Sequence, residues 1–106
     1  MTTDLPIACT LEAGDYRRRL AAMAALGAAA FLDAERAPLH AVLRFPRDAG
    51  VREQLDAIVA AEARCCAFLS LAVTDAPDAL VLTIDGPDGA EPVIGEIAGA
   101  LAGGER

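Results

Sequence analysis

The chain has 106 residues, the length of a single domain, and a net charge of −7 at neutral pH. This charge argues against nucleic acid and anionic membranes as partners, because both are bound mainly through Lys and Arg. The hydrophobic fraction is 55%, but much of it is alanine, and there are no Trp, one Tyr and three Phe. We therefore expect one domain over residues 1–106 with a thin core of Leu, Val and Ile, completed by a homodimer.

The cysteine count and the absence of a convincing export signal favour a reducing compartment. Three cysteines, two of them adjacent, make a poor disulfide framework. The run Arg17-Arg18-Arg19 precedes the apolar stretch Leu20 to Leu32, which superficially resembles a secretory signal. This stretch lies too deep in the chain, follows several acidic residues, and is shorter than the about 20 residues of a membrane span. We interpret it as a buried helix and predict a cytoplasmic protein with free thiols.

The first part of the chain predicts two strands and the helix between them. Pro6 to Leu11 is a short apolar segment typical of a strand, and it carries Cys9. From about Ala13 to Leu32 the apolar residues recur at spacings of three and four, which predicts a helix. The β-rich run Leu39 to Phe45 ends at a proline and predicts the second strand.

A second helix and a hairpin follow. Asp48 is a favourable N-cap, and the helix is expected to end at Cys65 or Cys66. Phe68 to Thr74 and Leu80 to Ile84 are separated by a proline-containing turn, which predicts an antiparallel pair of strands.

Pro92 suits the first position of a last helix, so the predicted order is β-α-β-α-β-β-α. This order fits an α+β fold of two layers: a three- to four-stranded, mainly antiparallel sheet covered on one face by three helices. The second helix, between the strands Leu39 to Phe45 and Phe68 to Thr74, is a candidate right-handed crossover.

The end of the second predicted helix carries the candidate site, Glu62-Ala63-Arg64-Cys65-Cys66. The apolar stripe of this helix, continued along the chain, places Glu62 on the buried face with Cys65 and Cys66 on the same side. A buried carboxylate is costly unless it is paired, protonated or bound to a metal. Thiolates select soft ions such as Cu(I) and Zn(II), and by the same softness Hg(II).

The pattern therefore predicts a soft-metal site without an organic cofactor. Cys65 and Cys66 would be the main ligands, and Cys9 would add a third sulfur. Glu62 would be either a ligand itself or a hydrogen-bond acceptor next to the ligands. Adjacent cysteines within a regular helix point about 100° apart, so one metal uses both only if the helix ends there.

Two other interpretations stay open. The thiols could serve a redox sensor or a thiol enzyme, or they could be small hydrophobes in a structural module. In the structural case, Glu62 would pair with Arg17, Arg18 or Arg44. An enzyme is the less favoured class, because the only histidine, His40, is expected to face outward from its strand.

These segments resemble a group of small bacterial proteins associated with heavy-metal response, especially to mercury, and with MerR-type regulators. The residues that carry the resemblance are Pro6 to Leu11, a helix with Arg, and Glu62-x-x-Cys65-Cys66-x-Phe68 before a strand. The resemblance implies that Cys9, Glu62, Cys65 and Cys66 act as a set. Many members carry proline after the paired cysteines, where this chain has Ala67 and so lacks that rigid helix stop.

Overall fold

The computed structural model describes residues 13–103, apart from the side chains of residues 13–15 and of Cys65. The predicted first strand, Pro6 to Leu11 with Cys9, lies outside the described residues. Three helices and four strands follow one another in the order α-β-β-α-β-β-α. They are α1 (Ala13–Ala30), β1 (Asp33–Ala37), β2 (His40–Phe45), α2 (Ala49–Cys65), β3 (Ser70–Ala76), β4 (Ala79–Asp85) and α3 (Glu91–Leu101).

The four strands form one antiparallel sheet in the order β1-β2-β4-β3. The predicted α+β class and the hairpin of β3 and β4 are therefore confirmed. Because β2 and β3 each run antiparallel to β4, they are parallel to each other, and α2 crosses from one to the other. The last strand of the chain thus lies between two strands that precede it.

Strand β1 differs from the prediction, which extended the first helix to Leu32 and placed no strand between that helix and Leu39. The helix ends at Ala30, and β1 pairs along its whole length with β2, while the Leu32 amide donates to Arg44 O at 2.9 Å. The sequence of β1, Asp-Ala-Glu-Arg-Ala, has no β-branched or aromatic residue. It is an edge strand whose conformation comes from pairing with β2 and not from its own propensity.

One face of the sheet carries the core. Alternate side chains of β2 and β4 are buried beneath the helices, where α3 contributes Ile94, Ile97 and Leu101, and α1 contributes Met23 and Leu26. The buried residues of the two central strands are Ala41, Leu43, Phe45, Ala79, Leu80, Leu82 and Ile84. The predicted core of Leu, Val and Ile is thus supplemented by one Met and one Phe.

Local signals set the ends of α2 and α3. Asp48 caps α2 as predicted, since its Oδ2 accepts from the Val51 amide at 3.1 Å. Pro92 is the second residue of α3, one position later than predicted, because the helix begins at Glu91. Among the described helices, none is long and apolar enough to cross a membrane.

Candidate functional site

Glu62 is buried in α2, as the helical stripe predicts, and its exposed fraction is 0%. Its carboxylate is paired with Arg19 of α1: Nε donates to Oε2 at 2.7 Å and Nη2 donates to Oε1 at 3.4 Å. The Arg19 side chain is 14% exposed, so the pair is largely removed from water. A buried carboxylate is tolerated here because a guanidinium neutralises it.

The partner of Glu62 that the structure gives is Arg19, which the structural interpretation did not name. Arg17 and Arg18 are exposed on α1, and Arg44 of β2 lies 3.4 Å from Asp33 and 3.6 Å from Asp78 instead. The basic run is therefore not a uniformly solvated face, because its third residue turns inward.

Helix α2 ends where the prediction placed it, and it does so without a proline. Cys66 is the C-cap, with non-helical φ of −127° and ψ of 67°, and its amide donates to Glu62 O at 2.7 Å. The Cys66 carbonyl then accepts from the Leu69 amide at 2.9 Å, which closes a turn before β3. The change of direction that a following proline would impose is thus already present with Ala67 in its place.

The Cys66 side chain is fully buried, and its sulfur is disulfide-bonded. This differs from the expectation of free thiols. The other two cysteine side chains, Cys9 and Cys65, lie outside the described part of the chain. The count and spacing of the cysteines did not predict a disulfide at Cys66.

One guanidinium connects the carboxylate to the sulfur. Arg19 Nη2 lies 3.4 Å from Glu62 Oε1 and 4.0 Å from Cys66 Sγ. The positive charge of Arg19 therefore faces both groups at once. We refer to Arg19, Glu62 and Cys66 as the buried triad.

Tyr16 extends this arrangement along α1. The guanidinium carbon of Arg19 lies 5.4 Å from the centre of the Tyr16 ring, and the Tyr16 hydroxyl donates to Glu96 Oε1 at 2.6 Å. Burial is the main cause that raises the pKa of Tyr16 above its ordinary range, helped by the hydrogen bond and charge of Glu96 and by the charge of Glu62, while Arg19 lowers it. The Tyr16 hydroxyl is thus neutral at physiological pH.

A cleft between α1 and α2 leads to the triad. Its volume is about 190 Å³, and among the described residues Arg19 and Glu62 are the charged side chains in its lining. The remainder of the lining is apolar and consists of Ala22, Met23, Ala57, Ile58 and Ala61. Small side chains on both helices therefore leave space beside the ion pair.

Of the predicted site residues, Glu62 and Cys66 have described side chains, and both contact Arg19. Across the described residues, no group of three or more His, Cys, Asp or Glu side chains is arranged to hold a metal ion. His40 is exposed, as predicted, and its Nδ1 lies 2.5 Å from Oδ1 of Asp85 on the neighbouring strand, so it takes no part in the triad.

Sequence reasoning missed Arg19. A usable signal exists in the spacing of α1, because Arg19 precedes the buried residues Met23 and Leu26 by four and seven positions. That spacing places all three side chains on one face of the helix.

Comparisons of the chain with protein-family models, with curated proteins and with solved structures found no match. The function therefore has to be argued from the chemistry of the buried triad.

Proposed function

We propose that the protein binds a soft metal ion as its cargo in the cytoplasm, through Cys66 and a second cysteine sulfur. The observation that carries this proposal is the disulfide at Cys66. Reduction of that bond leaves two thiols close together. Thiolates are the ligands that soft ions prefer, so the reduced pair offers one ion two sulfur ligands.

The structure supports a different role for Glu62 from that of a ligand. Its carboxylate already accepts hydrogen bonds from Arg19, and that guanidinium also faces the Cys66 sulfur. We assign Glu62 to holding Arg19 beside the sulfur. The ligands proposed are Cys66 with Cys65 or Cys9.

The end of α2 at Cys65 supports the pairing of neighbouring cysteines in particular. Two adjacent residues of a continuing helix diverge by about 100°, whereas Cys66 has left the helical conformation. The helical geometry that would keep two neighbouring side chains apart therefore does not extend to Cys66.

Competitive titration of the reduced protein with Hg(II), Cu(I) and Zn(II) tests the proposal. We expect stoichiometric binding of at least one ion and its loss in Cys66→Ser. Cys9→Ser and Cys65→Ser make the same change at the other two cysteines. The variant that loses metal binding identifies the second ligand, and the variant that keeps binding is the control. If Cys66→Ser binds every ion as tightly as the parent protein, the proposal is wrong.

The same disulfide supports a second candidate, a thiol–disulfide redox protein. In this function the disulfide and two molecules of a small thiol such as glutathione give two cysteine thiols and one oxidised glutathione, so that electrons and protons balance. Equilibration in glutathione buffers, followed by thiol counting on the intact protein, should give a reversible two-electron transition near the potential of the cytoplasm. A disulfide that stays oxidised throughout that range rejects the redox function. A parent protein that binds no metal rejects the metal-binding function.

A further inference from the structure

Access to the Cys66 sulfur is closed in the folded protein. Cys66 is 0% exposed, and its sulfur faces the guanidinium of Arg19, whose Nη2 donates to Sγ at 4.0 Å. Exchange between a thiol and a disulfide begins when a thiolate attacks one of the two sulfurs, and access helps to decide which sulfur is attacked. An external thiol does not reach the Cys66 end of the bond without opening the core, so the exchange has to start at the other sulfur.

We infer that Cys66 is the leaving group when a small thiol reduces the disulfide, and that Arg19 stabilises the thiolate that Cys66 becomes. The choice of glutathione as this thiol rests on the proposed redox function. A glutathione thiolate attacks the other sulfur and forms a bond to it, while the bond to Cys66 breaks and its electron pair goes to Cys66 Sγ.

A second glutathione thiolate completes the reduction. It attacks the glutathione sulfur of the mixed disulfide, which releases oxidised glutathione and leaves the second cysteine as a thiolate. The two glutathione thiols lose two protons to solvent, and the two cysteine sulfurs take up two protons when they become thiols. Two electrons therefore pass from glutathione to the protein.

The orientation of the ion pair gives Arg19 its role. The pair is neutral as a whole, but its positive end faces the sulfur, because the guanidinium donates to Cys66 Sγ while Glu62 Oε2 accepts from Nε at 2.7 Å. A carboxylate has only acceptor oxygens and forms no hydrogen bond with a thiolate. A buried thiolate is costly without a cation or a donor, and a thiolate that is stabilised leaves faster.

The rate of reduction by excess glutathione tests the role of Arg19. Arg19→Met removes the donor next to the sulfur, so we expect the second-order rate constant to fall about tenfold, as for the loss of one hydrogen bond to a charged group. Arg19→Lys keeps a cation and should recover part of that loss, whereas Arg17→Met on the exposed face of α1 should leave the rate unchanged. A merely structural role for Arg19 predicts the opposite sign, because a loosened core exposes the sulfurs and speeds their reduction.

Arg19→Met combined with Glu62→Met keeps the test valid if the single variant fails to fold. Replacing a whole buried ion pair by apolar residues is often neutral or stabilising. The double variant also lacks the guanidinium, so it should be reduced more slowly than the parent protein. A rate equal to or above that of the parent in the folded variants overturns the role of Arg19.

The order of attack is measured on the parent protein without any substitution. After partial reduction, acid stops the exchange, N-ethylmaleimide labels the free thiols, and mass spectrometry of the peptides locates both groups. We expect glutathione on Cys9 or Cys65 and the maleimide on Cys66, and glutathione on Cys66 overturns its assignment as the leaving group. Because the thiol is in excess, this result is obtained even if equilibration in glutathione buffers rejects the redox function, so the two failures are distinguishable.

Discussion

The guanidinium of Arg19 donates to the carboxylate of Glu62, faces the sulfur of Cys66 and lies over the ring of Tyr16. Such a group is hard to replace singly, because each of its neighbours is arranged around a planar cation. The energetic consequence differs sharply between removing one member of the ion pair and removing both.

Arg19→Met should lower the free energy of unfolding by about 3 kcal/mol, since it leaves the fully buried Glu62 carboxylate without its cation. Replacing both members by Met should cost far less than the single change. Urea unfolding measures both, with Arg17→Met on the exposed face of α1 as the control. A single-variant loss no larger than that of Arg17→Met would contradict the structural importance of the pair.

Tyr16 makes stability depend on pH at the alkaline end. Its pKa is raised in the folded protein, mainly by burial, so the native state holds the phenolic proton to a higher pH than the unfolded chain does. Its contribution is complete below the unfolded pKa of about 10 and is lost as the pH rises through the folded value.

Urea unfolding at a pH of about 9 and of about 11 should show this loss in the parent, and a smaller loss in Tyr16→Phe. Phenolate absorbance gives an independent reading, because the chain has one Tyr and no Trp. A phenolate that forms near the ordinary pKa in the folded protein would contradict the partial burial of Tyr16 and its hydrogen bond to Glu96.

Among the helices, α1 and α3 approach each other at Gly27. A Cβ there would lie 2.3 Å from Leu101 O and 2.5 Å from Gly103 N, both of which are backbone atoms and cannot swing away. At Gly95, also within a helix, a Cβ would meet nothing within 4 Å. A side chain therefore has no space at Gly27 and open space at Gly95.

Alanine should have opposite effects at these two glycines. Gly95→Ala should stabilise the protein by about 0.5–1 kcal/mol through helix propensity, whereas Gly27→Ala should destabilise it because α3 must move. Thermal unfolding of the two variants gives the comparison. Equal stabilisation by both would mean that α1 and α3 are not in close contact.

At the level of elements, periodicity and capping accounted for most of the fold. The stripe of α2 predicted both the burial of Glu62 and the end of the helix at the cysteines, since both follow from helical geometry. Strand β1 was not predicted, because its residues have low strand propensity and are extended only through pairing with β2. The burial of Arg19 was not predicted for a related reason. A charged residue in a basic run is ordinarily solvated, and Arg19 points inward because it pairs with Glu62 across the interface of α1 and α2.

At the scale of the whole molecule, a single hydrophobic cluster joins α1, α2, α3 and the two central strands. Because every described helix contributes to it, residues 13–103 share one core. We expect one cooperative unfolding transition, with the far-ultraviolet circular dichroism and the Tyr16 fluorescence changing at the same urea concentration. Transitions that separate would contradict the prediction of a single domain.

The homodimer stays a prediction at this scale. Leu32, 52% exposed, is the one large hydrophobic side chain that the described residues leave open to solvent. Light scattering at high protein concentration measures the mass directly, and a strictly monomeric mass would reject the dimer.

The position of β4 between β2 and β3 also has a consequence for biosynthesis. On the ribosome, β2 emerges first and β3 later, and each waits with an unpaired edge until residues Ala79–Asp85 leave the exit tunnel. Unpaired strand edges are sites of association between chains. The nascent protein is therefore exposed to aggregation until β4 has emerged, and a ribosome-associated chaperone would act during that interval.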